Sequence, residues 1–131
     1  MIPNNTRVDP LLLRLALAQQ ALGRPELAAT TAALRGRFDA SRARGDTVHR
    51  REEARFQLRL ARDPSAALVL ARDNWGVQRE PADLRVLAEA AVAAHDAQAI
   101  DTVRRWLGDS GLEYAPVEAL MKDGADMARI K

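Results

Sequence analysis

Few residues in this chain have the types and spacing that chemistry needs. Neither of the two histidines, His49 and His95, has a partner at metal-ligand spacing. Cysteine is absent, which removes thiol nucleophiles, thiolate metal sites and disulfides. The seven glycines are scattered at the ends of helical stretches, where glycine caps helices, so no phosphate-cradling loop is expected. No serine sits in a nucleophile elbow. Glu52 and Glu53 stand near the start of an expected helix and complement its dipole. A catalytic carboxylate pair is the sharper alternative for them. His95 reads as a polar turn residue and His49 as a solvated one. The expectation is a protein that is not an enzyme and holds no metal and no cofactor.

Arginine is the residue in surplus. Segment 35–62 holds nine Arg against Asp39, Asp46, Glu52 and Glu53, five positive charges in excess, while the whole chain carries only +2. One reading is a solvated helix face that its own acids partly neutralise. The other is an anion-binding patch for an acidic partner or nucleic acid. Phe38 and Phe56 are its only aromatics and lysine is nearly absent, so nucleic acid is not the expected partner.

The elements that must carry these residues are helical. Ala, Leu, Arg and Glu abound, and β-branched and aromatic residues are scarce, which predicts an all-α domain. The clearest stretch is 81–107. Pro81 suits a first helical turn. Leu84, Leu87, Ala88, Ala91 and Ala94 recur at steps of three and four, and Ile100, Val103, Trp106 and Leu107 make a second stripe. Only a short turn at His95-Asp96 parts them, so the two helices must form an antiparallel hairpin. Similar pairs are expected over residues 10–42 and 48–79. Asp9, with Pro10 behind it, opens the first helix, Thr47 caps the third, and Pro64 starts the fourth. Trp75 and Trp106 are expected to pack hairpin on hairpin. Residues 1–8 read as a disordered lead-in, 9–123 as the helical domain and 124–131 as a polar tail, after a final helix of about two turns. No apolar run is long enough to span a membrane, and the compartment is left open.

Aligned at Gly23, Arg62 and His95, the three pairs repeat at 39 and 33 residues. With Leu12, Leu15 and Ala16 in the first pair, Leu84, Leu87 and Ala88 in the third, and Pro81 closing the second, this resembles the tetratricopeptide repeat family. The departures are His95 where glycine is usual, Ile100 where a small residue is usual, and missing first-helix aromatics. The resemblance implies a right-handed solenoid of about three hairpins plus a short C-terminal helix, with first helices lining a concave groove that binds protein or peptide. The groove residues it implies are Arg14 and Leu17, Glu53 and Gln57, and Arg85 and Glu89. The family's carboxylate clamp of Lys and Asn is absent. An ordinary bundle of six or seven helices is the alternative fold. The first helix is leucine-rich nearly all round. Leu13 and Leu17 are therefore expected at a contact with a second copy or with repeats preceding Pro10.

Overall fold

A computed structural model describes the backbone of residues 5–46 and 49–130 and the side chains of residues 10–46 and 49–122. Among these residues every regular element is an α-helix: α1 Asn5–Leu22, α2 Leu27–Ala43, α3 Arg50–Arg59, α4 Pro64–Trp75, α5 Pro81–Ala93, α6 Ala97–Ser110 and α7 Ala115–Ile130.

The helix boundaries have local causes. The Asp63 carboxylate accepts from the Ala66 N–H (3.1 Å), with Pro64 at the first turn of α4. The Asp96 carboxylate does the same for Ala99 (2.9 Å) at the start of α6. Each such cap contributes about 1 kcal/mol. At α5 the Asp83 carboxylate reaches back to the Glu80 N–H (2.9 Å). The three turn positions that align the helix pairs share one backbone conformation: Gly23, Arg62 and His95 have φ of 63°, 55° and 55°. In the first and third turns a six-residue bond closes the helix end, Arg24 N–H to Gln19 carbonyl (2.9 Å) and Asp96 N–H to Ala91 carbonyl (3.0 Å).

Both ends of the chain are more helical than expected. Helix α1 begins at Asn5, so Pro10 lies inside it and residues 5–8 are not a lead-in. Pro10 is the sixth residue of α1, past the N–H groups that lack an intrahelical acceptor, so the helix gives up one i→i−4 bond there and continues to Leu22. Helix α7 runs through Gly124 to Ile130, so the expected two-turn helix and polar tail are one helix. A single glycine costs only about 1 kcal/mol against alanine, too little to stop a stretch rich in Ala, Leu and Met. Helix α3 is shorter than the predicted 48–62, and the Thr47 cap lies outside the described residues.

Two apolar clusters meet at α3. Phe56 joins Leu13, Ala16, Leu34 and Phe38 between α1 and α2, with the two phenyl rings 5.3 Å apart. Two residues earlier, Ala54 joins the larger cluster of Ala67, Leu84, Leu87, Ala88, Val103 and their neighbours on α4 to α7. Trp75 and Trp106 meet edge to face at 5.2 Å and pin α4 to α6, with the Arg79 guanidinium over both rings.

A buried polar knot ties the middle of the chain. Asp83 is fully buried and accepts from Asn74 Nδ2 (2.7 Å) and Arg51 (3.1 Å), so α3, α4 and α5 meet on one carboxylate. A buried carboxylate is tolerable only with its lone pairs occupied in this way. Burial works against the Arg51 charge, but Asp83 and Glu52 more than offset it and raise its pKa. No helix among the described residues is long and apolar enough to cross a membrane.

Candidate functional site

The odd-numbered helices contact one another in sequence, α1 with α3, α3 with α5 and α5 with α7. Their shared side forms a cleft of about 370 Å³. Arg14 and Leu17 of α1, Arg55 of α3, Arg85 and Glu89 of α5, and Tyr114 before α7 line it. The cleft thus draws on residues as far apart in the chain as Pro10 and Tyr114.

Its charges are unequally satisfied. Glu89 pairs with Arg59 (3.2 Å) and Arg85 (3.4 Å). Glu52, also on the rim, is held by Arg51 (3.3 Å) and stands 3.5 Å from His49 Nδ1. Hydrogen bonding to Tyr114 and the charge of Glu89 raise the pKa of Arg85. Arg55 is the exception. It is half-buried, and among the described residues it makes no ion pair or hydrogen bond. Burial lowers its pKa. Glu89 opposes that fall, and Arg59 and Arg85 add to it. A cation desolvated in a cleft with like charges beside it is stabilised by an incoming anion.

Four of the six groove residues implied by the sequence, Arg14, Leu17, Arg85 and Glu89, lie together in this cleft. Glu53 and Gln57 do not. They face a second hollow with Arg42, Ala66, Val69 and Leu70, between α2 and the α3–α4 pair. Glu53 is buried there against Arg42. Burial raises its pKa, with Arg42 opposing. The places expected for Glu53 and Gln57 belong to Glu52 and Arg55. The legible signal was the row Arg51, Arg55, Arg59, spaced by four along α3, which puts three guanidinium groups on one helix face.

Three further expectations need correction. Leu13 is 2% exposed inside the α1–α2 core, so it cannot be an open contact residue, and Leu17 is half-buried at the cleft. The open leucines of α1 are Leu11, Leu15 and Leu22, 59%, 48% and 75% exposed. With Ala18 they recur at steps of four, three and four, on the side of α1 opposite Leu13 and Ala16. His49 is buried, not solvated, because the turn before α3 folds it against Glu52. His95 is an exposed turn residue. Among the described residues no group of three His, Asp or Glu is placed to hold a metal ion.

Comparison with known proteins returned no matching family model, no matching curated protein and no matching solved structure.

Proposed function

We propose that the protein is a non-enzymatic binding module. Its helix pairs stack as a right-handed solenoid like that of the tetratricopeptide repeats, and it takes a peptide or protein segment along the cleft of α1, α3 and α5. The observation that carries this reading is the cleft itself: consecutive odd helices present Arg14, Leu17, Arg55, Arg85 and Glu89 along one continuous side. Two features support the stacked arrangement. The hairpin turns share a left-handed residue at Gly23, Arg62 and His95. Helix contacts also run between neighbours along the chain, α1 with α2 and α3, α3 with α4 and α5. Mixed charge beside apolar wall suits an extended polypeptide, which offers side chains of both kinds.

Selection of an unbiased displayed peptide library tests this. Enriched peptides should lose binding to the paired variant Arg14→Ala/Arg85→Ala, with Arg105→Ala on α6 as the control. Peptides that bind all three proteins alike, or no enrichment at all, would overturn the reading.

The stripe Leu11, Leu15, Leu22 favours a second contact face, for another copy of the chain or a neighbouring helix pair. Light scattering across a concentration series should show association that Leu11→Glu/Leu15→Glu abolishes. A monomer at every concentration would remove this face from the account.

A further inference from the structure

Three places hold chemistry that the fold alone does not use: the cleft of the odd helices, the hollow around Glu53, and the leucine stripe of α1. The hollow closes on itself, since Arg42 neutralises Glu53 and Arg50 spends a donor on the Asp73 carbonyl (3.4 Å). The stripe shows nothing that chooses its occupant. The cleft does. Its lining carries Arg14, Arg51, Arg55 and Arg85 against Glu52 and Glu89. Both acids are already engaged, Glu52 by Arg51 and Glu89 by Arg59 and Arg85. Arg51 in turn is held by the buried Asp83. Arg55, with no ion pair among the described residues, is left in the middle of the cleft with Arg14 on one wall and Arg85 on the other.

We infer that the partner segment is acidic, and that a side-chain carboxylate of that segment meets the Arg55 guanidinium while an apolar neighbour rests on Leu17 and Tyr114. This rests on the binding-module reading above and names the chemistry of its ligand. Arg suits the task, because its planar fork matches a carboxylate with two parallel hydrogen bonds and it is more weakly hydrated than an ammonium. The lowered pKa of Arg55 agrees with this: desolvation lowers it, Glu89 only partly opposes, Arg59 and Arg85 add to the fall, and an incoming carboxylate would act with Glu89. The cleft is less suited to nucleic acid. A phosphate chain would run past Glu52 and Glu89, and Tyr114 is the only aromatic in the lining on which a base could stack.

The test is fluorescence polarisation with a labelled, amidated peptide that alternates Glu with Leu and Ala, beside the same peptide carrying Gln for Glu. At moderate salt the Glu peptide should bind about tenfold more tightly than the Gln peptide, the scale of one charge-assisted pair. Arg55→Ala should remove most of that advantage, Arg55→Lys should keep part of it, and Arg105→Ala should leave it intact. Arg14 is exposed, so Arg14→Ala provides a second variant that does not touch packing, and it should weaken the Glu peptide alone. Equal affinity of the two peptides, both lost on Leu17→Glu, would overturn the acidic inference and leave the groove reading standing. Failure of both peptides to bind would overturn the two together. A single-stranded oligonucleotide that binds more tightly than the Glu peptide and loses that binding on Arg55→Ala would overturn the inference in favour of a nucleic-acid ligand.

Discussion

Helices α2 and α5 are both rich in alanine, yet they meet opposite fates. Ala28, Ala29, Ala32 and Ala33 of α2 are exposed, whereas Ala88, Ala90 and Ala91 of α5 are fully buried. Intrinsic helix propensity is the same for both sets. The difference is position in the array. Helix α5 touches α3, α4, α6 and α7, so most of its surface meets a neighbour and the side with Ala82 and Arg85 stays open to the cleft, whereas α2 packs chiefly on α1. The α1–α2 pair therefore depends on a small core and borrows Phe56 from α3, while α4 to α7 share a continuous one. One chain thus holds a lightly anchored pair and a firmly anchored block, with α3 belonging to both and the cleft crossing the border.

Substitutions should separate the two regions. The largest effect is expected from Phe38→Ala, about 3–5 kcal/mol by loss of a buried ring, with helix loss confined to α1 and α2. Hydrogen exchange read by mass spectrometry should show α4 to α6 still protected. Unfolding of the whole chain would mean that the regions are one cooperative unit. Leu87→Ala, at a site 1% exposed, should cost about 2–5 kcal/mol, and its denaturant transition should take every helix down together.

Next comes Asp83→Ala, which strips the acceptor from Asn74 and Arg51. A loss of about 2–4 kcal/mol follows from leaving a buried amide unpaired. Asp83→Asn should recover part of it.

A smaller and opposite effect belongs to the turns. His95 holds φ 55°, a conformation that costs an L-residue about 1–2 kcal/mol. After the entropy glycine adds to the unfolded chain, His95→Gly should stabilise by about 0.5–1 kcal/mol. Gly23→Ala should do the reverse.

The smallest effect is a pH dependence at Glu53. Its folded pKa is raised, so the native state holds the proton more tightly than the unfolded chain. Stability from this group is present below the ordinary glutamate range and is lost as pH rises through the folded pKa. Glu53→Gln should flatten that step in a series of thermal melts.

The sequence was most legible where one helix face alone is apolar. The hairpin of α5 and α6 follows from its period, its Pro81 start and the short turn at His95-Asp96. It was least legible in α3, where Ala54 and Phe56 point to different clusters and no single stripe exists. That ambiguity is why Glu53 and Gln57 stood in for Glu52 and Arg55 at the cleft. In α1, leucines run round the whole helix, so composition could not say which side was inside. Only the packing against Leu34 and Phe38 separates Leu13 from Leu11 and Leu15.

The central claim is that one cleft spans both regions, so that a ligand braces the weaker one through α3. The most direct measurement is amide hydrogen exchange with and without a saturating concentration of the Glu-containing peptide. The account predicts slowed exchange in α1 and α3 as well as α5, with the largest gain in α1, where the free protein opens most easily. Slowing confined to α5 to α7, or no slowing anywhere, would contradict it.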